Sequence, residues 1–300
     1  MLQKYDARNA DIIVNVAGKL THRNDAAVSP FDSSVQNGDA VWEGLRLYDG
    51  KIFRLSAHLA RLRKSAQMLS YTDIPSDEKI ITQIKRTLEA NNMQTDVHIR
   101  LTLTRGVKYT SGLDPRINTM GSTLIVLAEY KPPVYDKSGL ALIIAKQRRP
   151  FADVLDQHIH SSNQLTSILA KLEANATDAD DAMMLDTKGF VAETNATHLF
   201  LVKDGRVETP TTKACPEGIT RAAVLELCQT HGIPHLVDDI LPERFFDADE
   251  VFCTGTMGEI VPVVRIDGNI IGSGTRSPIT QQLSSLYSAL VKEESESLGV

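Results

Sequence analysis

A two-domain α+β fold is what this sequence predicts, on three observations. Strands show as period-two alternation, most strictly in Val97-His-Ile-Arg-Leu-Thr-Leu-Thr-Arg105. Helices between them carry apolar residues at helical spacing, as in Leu55, Leu59, Leu62, Ala66 and Leu69. One break, Lys131-Pro-Pro-Val-Tyr-Asp-Lys-Ser-Gly139, interrupts the pattern with two prolines, charge and glycine. A length of 300 residues suits two domains better than one. The expected division is an N-terminal α+β domain over 1–130, a linker over 131–139 and a β-rich C-terminal domain over 140–300.

The elements follow in order. Asp11-Ile-Ile-Val-Asn-Val reads as a strand, and LRLYDGKIFRL as a hairpin across Asp49-Gly50. Ser56 is the expected cap of the first long helix. A second helix follows Asp77, with Ile80, Ile81, Ile84 and Leu88 on one face and Asn91-Asn92 at its end. In the alternating strand, Val97, Ile99, Leu101 and Leu103 share one face. His98, Arg100, Thr102 and Thr104 share the other, a candidate wall of a site. STLIVLAEY is the next strand, and LALIIAKQ opens the second domain.

A short polar strand through His158 and His160 then runs into a helix capped by Ser161 or Ser162. Its buried side is expected to be Leu165, Ile168, Leu169 and Leu172. Strands AMMLD, FVAET and HLFLVKDGRVETP come next, the last turning at Asp204-Gly205. Gly218-Ile-Thr-Arg221 leads into a helix closed by Gly232. Strand EVFCTGT, a hairpin across Asp267-Gly268 and a helix from about Pro278 complete the order, with KEESESLGV as a frayed tail.

Composition excludes several function classes. A net charge of −6, with no Lys/Arg run, leaves no footprint for nucleic acid or an anionic membrane. The longest apolar runs, TLIVLA and LALIIA, are strand-sized, so no membrane span is expected. MLQKYDARNAD has no apolar h-region, and Cys215, Cys228 and Cys253 are odd in number and scattered. A reduced, soluble, cytoplasmic protein is the expectation.

Several groups could carry chemistry. Gly218-Ile219-Thr220 opens a helix, so its amides and the positive dipole end suit an anion. Gly255-Thr256-Met257-Gly258 follows a strand and adds a hydroxyl to a flexible backbone. The plainer readings are a helix cap and a tight turn. Glu193, in an otherwise apolar strand, is either at a solvated strand end or kept for a buried cation. Arg61 alone reads as part of a solvated helix face. His158 and His160, near Asp153 and Asp156, read as structural histidines, and no metal site is expected.

Taken together and in this order, GDAVWEGLRLYDGKIFRLSAHLARLRKSA, TSILAKLEA, FVAETNATHLFLVKDG, EGITR and DEVFCTGTMGEIVPV resemble the class IV aminotransferases. These are fold type IV pyridoxal-phosphate enzymes, typified by branched-chain and D-amino-acid aminotransferases. The resemblance covers roughly Asp11 to Leu290. It implies pyridoxal 5'-phosphate as cofactor, an amino acid and a 2-oxo acid as substrates, and a homodimer. It implies that Arg61, Gly218, Ile219, Thr220, Gly255 and Thr256 hold the cofactor phosphate. Glu193 would pair with the pyridine nitrogen, and Gln164 stands where the family has a tyrosine near the phenolic oxygen. Trp42, Gly44, His98, Arg100, Met257 and Gly258 would line the substrate pocket, with Arg100 suited to a substrate carboxylate.

The chain departs from the family at one point. The family attaches its cofactor to a lysine that should fall between His158 and His160, and no lysine lies between Lys146 and Lys171. Three alternatives follow. Another lysine enters the site, with Lys108 favoured over Lys213 and Lys171. Or His158 or His160 serves as the base on a cofactor held without a covalent bond. Or the chain is a relative that binds the cofactor without transaminating.

Overall fold

The computed structural model describes residues 4–133, 135, 138–274 and 277–298. Its helices, in chain order, are α1 (Ser33–Asn37), α2 (Leu55–Met68), α3 (Asp77–Ala90), α4 (Leu165–Asn175), α5 (Ile219–Thr230), α6 (Pro242–Phe246) and α7 (Pro278–Glu294). Its strands before the proline break are β1 (Ile13–Val16), β2 (Lys19–His22), β3 (Ala40–Tyr48), β4 (Lys51–Phe53), β5 (Val97–Thr104) and β6 (Thr123–Tyr130). After it come β7 (Leu140–Ile144), β8 (Asp181–Leu185), β9 (Val191–Thr194), β10 (His198–Lys203) and β11 (Arg206–Pro210). The last are β12 (His235–Asp238), β13 (Glu250–Gly255), β14 (Glu259–Ile266), β15 (Asn269–Ile270) and β16 (Ser295–Ser297). Among the described residues no helix is long and apolar enough to cross a membrane.

Contacts divide the chain into two compact units. An N-terminal unit runs to Pro132 and includes Ile159–Asn163 and the stretch from Glu294; a C-terminal unit holds Pro133–His158 and Gln164–Glu293. Of the expected linker, Val134, Asp136 and Lys137 lie outside the described residues.

The N-terminal unit is one seven-stranded sheet in the order β16-β4-β3-β5-β6-β1-β2. β3 and β5 pair antiparallel with Gly44 opposite Arg100 and Arg46 opposite His98. Alternation then sends Val97, Ile99, Leu101 and Leu103 into the core with Val41, Leu45 and Leu47. The stripe of α2, Leu55, Leu59, Leu62 and Ala66, covers that face, and each fully buried leucine contributes about 1.5–3 kcal/mol. The remaining phase, Trp42, Gly44, His98 and Arg100, is left together on the opposite face.

The C-terminal unit is a nine-stranded mixed sheet in the order β12-β11-β10-β13-β14-β7-β8-β9, with β15 on β14. Parallel pairing occurs at β11/β12, β14/β7 and β7/β8. Glu250 caps α7, accepting from the amides of Ile279 and Thr280.

Five expectations are corrected. α4 does not bury its leucine stripe: Leu165, Ile168, Leu169 and Leu172 are 60%, 54%, 41% and 57% exposed. It buries Ser167, Ala170 and Ala174 instead, the two alanines packing with Ala145, Ala182 and Met184, because small side chains let the helix lie close to β8. Its N-cap is Gln164 rather than a serine. The stretch before it, 152–159, is turn and bend, so His158 and His160 share no strand face. α2 starts at Leu55 behind Arg54, whose left-handed φ of 48° turns the chain. Ser56 bonds Glu296 rather than capping. Finally, Ser295–Ser297 is no frayed tail: it pairs antiparallel with Lys51–Phe53.

Candidate active site

In the C-terminal unit, Glu193 is the buried carboxylate that its strand context left open. Arg149 Nη2 donates to its Oε1 at 2.8 Å. The same guanidinium nitrogen donates to Ser167 Oγ at 3.0 Å, and Ser167 Oγ donates to Gln164 Oε1 at 3.1 Å. Gln164 and Glu193 are thereby tied through one arginine and one serine. On the other side, His198 Nδ1 stands 3.9 Å from Glu193 Oε2 and 3.8 Å from Cys215 Sγ. Burial pushes the Cys215 thiol well up, and the Glu193 charge adds to it.

The imidazole of His198 lies against Gly218, where a Cβ would come within 2.3 Å of its Cδ2, so a larger residue here would displace the ring. Gly218 is the N-cap of α5 and supplies no side-chain cap. Ile219 and Thr220 therefore begin a helix whose N-terminal dipole meets no capping carboxylate or hydroxyl from Gly218. Gly255, at the end of β13, packs on Thr197, where a Cβ would lie 3.1 Å from Thr197 Cγ2. Thr256, Met257 and Gly258 form the turn into β14. A Cβ on Gly258 would meet the Tyr135 ring at 2.8 Å. Glu193, Gly218–Thr220 and Gly255–Thr256 thus converge around the 197–198 corner.

In the N-terminal unit the substrate-side candidates share the open face of β3 and β5. The Arg100 guanidinium carbon lies 3.4 Å over the Trp42 ring, and burial lowers Arg100 to about 10. Burial lowers His98 to about 4, with Lys131 and Arg100 adding repulsion. Its Nδ1 is buried with no hydrogen-bond partner.

On the core side of β3, Glu43 is fully enclosed. Arg61 clamps it bidentately, Nε to Oε1 at 2.8 Å and Nη2 to Oε2 at 2.7 Å. His58 Nδ1 lies 2.6 Å from Oε2 and His160 Nδ1 3.3 Å from Oε1. Burial alone would raise the Glu43 carboxyl, but Arg61 and His160 overcome it and hold the group well below the usual carboxylate range. His160 also stacks on Trp42 at 4.5 Å, and its Nδ1 is 2.6 Å from the Trp42 carbonyl. A carbonyl only accepts, so Nδ1 carries the proton and Nε2 is the basic nitrogen. Burial lowers His160, leaving it neutral near pH 7. His158 is placed elsewhere, in a turn of the C-terminal unit with Nδ1 2.8 Å from Asp156.

The lysine candidates are all engaged. Lys108 is buried, with Nζ bonded to Asn37 Oδ1 and, at 2.6 Å, to the Gly112 carbonyl. Lys171 pairs with Asp181 at 3.1 Å and Lys213 with Asp239 at 2.7 Å.

Glu43, His58, Arg149, His198 and Cys215 were not anticipated. Glu43 left a readable signal, since it falls in the core phase of Val41, Leu45 and Leu47, where a charge demands a partner. Arg149, in the loop Arg148-Arg149-Pro150, left none.

Residues 40–266 match the family described as "Amino-transferase class IV". "Branched-chain-amino-acid aminotransferase-like protein 2" of Arabidopsis thaliana is 50% identical over 283 residues, 94% of this chain but 51% of that protein. The chain spans about half the length of the two Arabidopsis relatives it matches, 51% and 52%. A putative branched-chain-amino-acid aminotransferase of Methanocaldococcus jannaschii is 40% identical over 272 residues, covering 90% of this chain and 93% of that one. Among solved structures, the branched-chain aminotransferase of the archaeon Thermoproteus uzoniensis, determined with norvaline, superposes with a TM-score of 0.87 at 29% identity, covering 95% of this chain and 96% of that one.

Proposed function

The chain belongs to the class IV aminotransferases and has their α+β, fold type IV architecture, and on that premise we propose that it binds pyridoxal 5'-phosphate and moves an amino group between a branched-chain-like α-amino acid and a 2-oxo acid. The observation that carries this reading is the buried Glu193 beside the start of α5, which Gly218 leaves without a side-chain cap. A carboxylate fixed by Arg149 suits a protonated ring nitrogen. A helix start with no Cβ at Gly218 suits a phosphate. When bound, the cofactor supplies an electron sink for loss of the substrate α-proton.

The chain's own residues take the following parts. Glu193 holds the proton on the ring nitrogen. Gly218, Ile219 and Thr220, with Gly255 and Thr256, bind the phosphate. Arg61 is assigned to the same group, its plane fixed by Glu43. Gln164, tied to Glu193 through Ser167 and Arg149, would stand near the phenolic oxygen of the bound cofactor. Trp42, Gly44, Met257 and Gly258 shape the substrate side. Arg100, stacked on Trp42, takes the substrate carboxylate. His160 would accept the α-proton at Nε2, the nitrogen that its Nδ1 bond to the Trp42 carbonyl leaves unprotonated. Lys108, Lys171 and Lys213 are not assigned, because each ammonium is already held. His158 is not assigned either, being committed to Asp156.

A second reading, cofactor binding without amino transfer, is favoured by the absence of lysine between Lys146 and Lys171. The exposed apolar stripe of α4 supports a homodimer. Three buried cysteines, each a free thiol, suit a reducing cytoplasm.

Borohydride treatment of full-length protein with added pyridoxal phosphate, followed by peptide mapping, tests the lysine question. No labelled lysine peptide is expected, and label on Lys108 would replace His160 in the assignment. Amino transfer from leucine or valine that disappears in His160→Ala supports the first reading. Cofactor binding without transfer selects the second. Unchanged cofactor affinity in both Arg61→Ala and Glu193→Gln would overturn the cofactor assignment itself.

A further inference from the structure

We infer that Glu193, His198 and Cys215 form a binding site for a thiophilic divalent cation of the zinc and cadmium kind. One ligand atom from each residue lies within 4.8 Å of the other two, and all three residues are buried. His198 Nδ1 is the hub, 3.9 Å from Glu193 Oε2 and 3.8 Å from Cys215 Sγ. A tetrahedral ion with bonds of about 2.0–2.3 Å sets its ligands roughly 3.3–3.8 Å apart, so the longest separation closes by at most about an ångström.

The donor set names the ion class. One sulfur, one imidazole and one carboxylate select zinc-like ions over calcium or magnesium, which take oxygen ligands alone. Arg149 donates to Oε1 of Glu193, which directs Oε2 towards His198 and makes the carboxylate a one-oxygen ligand. Three protein ligands leave a fourth position for water. The chemistry balances simply: the Cys215 S–H bond breaks, a sulfur–metal bond forms, and one proton passes to solvent per ion bound. The ligands come from β9, β10 and the segment before α5, so no close cysteine–histidine spacing marks the site in the sequence.

The site has a consequence that rests on the proposed cofactor reading. If Glu193 also pairs with the pyridine nitrogen, cation and cofactor exclude one another, and a zinc-like ion becomes an inhibitor that competes with pyridoxal phosphate rather than with the amino acid.

The test titrates Cd2+ into full-length protein freed of cofactor. One ultraviolet thiolate-to-cadmium band, saturating at one equivalent and releasing one proton, is expected. Cys215→Ser should abolish the band and weaken binding roughly 100-fold, while Cys228→Ser and Cys253→Ser leave both unchanged. A band that survives Cys215→Ser, or that follows Cys228 or Cys253, overturns the inference. Should Cys215→Ser fail to fold, the same titration in Glu193→Gln decides, with weaker binding expected and unchanged binding overturning the site. A further arm repeats the titration with pyridoxal phosphate present. If the band forms normally but the cofactor fails to raise the Cd2+ needed, the cofactor role of Glu193 falls and the cation site stands.

Discussion

Glu43 in the N-terminal unit and Glu193 in the C-terminal unit are both buried strand carboxylates answered by an arginine, yet they are built for different work. Glu43 is enclosed on every side. Arg61 grips both its oxygens from a helix 18 residues along the chain, and two histidines close on the same oxygens. Glu193 meets Arg149 through Oε1 and lies beside His198, against a helix start that carries no side-chain cap. The first is a brace that fixes Arg61 and His160. The second is the carboxylate proposed above to meet an external ligand. The same pair of residue types does either job, and the neighbouring groups decide which.

Removing one charge from the brace should have the largest effect. Glu43→Gln removes the charge from a fully enclosed carboxylate that grips Arg61, itself 13% exposed, a change that costs about 3–5 kcal/mol. Chemical denaturation should show that loss with an unchanged m-value. A loss below about 1 kcal/mol would mean that the brace is not what holds Arg61 and the histidines in place.

The next effect is a pH dependence that arises on the N-terminal unit. His98, ordinarily near 6.5, is held down to about 4 by burial. Below pH 6.5 the unfolded chain takes up this proton while the folded chain does not, so acid favours unfolding. The loss accrues between pH 6.5 and about 4 and amounts to something on the order of 3 kcal/mol. His160 is shifted in the same direction. Glu43 is depressed, so its contribution is present above its ordinary 4.5 and is lost only as pH falls further. Melting temperature should therefore begin to fall below pH 6.5, and His98→Gln should flatten that limb. A wild-type curve flat from pH 7 to 5 would contradict the burial of both histidines.

On the other side of the comparison, Glu193→Gln should weaken cofactor affinity roughly 10–100-fold, the value of one charge-assisted hydrogen bond to a ring nitrogen. Fluorescence titration with pyridoxal phosphate reads this directly. Because Glu193 is not the brace, its loss should cost less stability than Glu43→Gln; the reverse ranking would break the distinction.

What the sequence made legible follows the same divide between local and distant partners. Alternation in β5 and the stripe of α2 read correctly because each depends on one neighbouring layer. Glu193 stands out as a charge in an apolar strand, whereas Arg61 by itself reads as part of a solvated helix face and only the family resemblance picks it out; the fold leaves it 13% exposed against Glu43. Their partners Glu43 and Arg149 were not anticipated, since pairing depends on which strands and loops become adjacent. α4 failed for a related reason. Its leucines repeat like those of α2, but periodicity identifies a wide apolar face without saying which face meets the sheet. Close packing on β8 required the face of Ser167, Ala170 and Ala174, and no property of the helix taken alone ranks small residues above leucine. β16 was read as a tail because three polar residues carry no strand signal; their order comes from the edge of β4 and the bonds from Ser56 to Glu296.

The α4 stripe gives the smallest effect on the protomer and the clearest reading of its surface. Ile168 is 54% exposed, so Ile168→Glu removes little buried area and should shift protomer stability by no more than about 0.5 kcal/mol. If the stripe is covered by a second copy, the same substitution places a carboxylate in an apolar contact. Sedimentation should then show a dimer in the parent protein and a folded monomer in the variant. A variant that loses more than about 2 kcal/mol while remaining dimeric would mean that this face is buried within the protomer, as the stripe of α2 is.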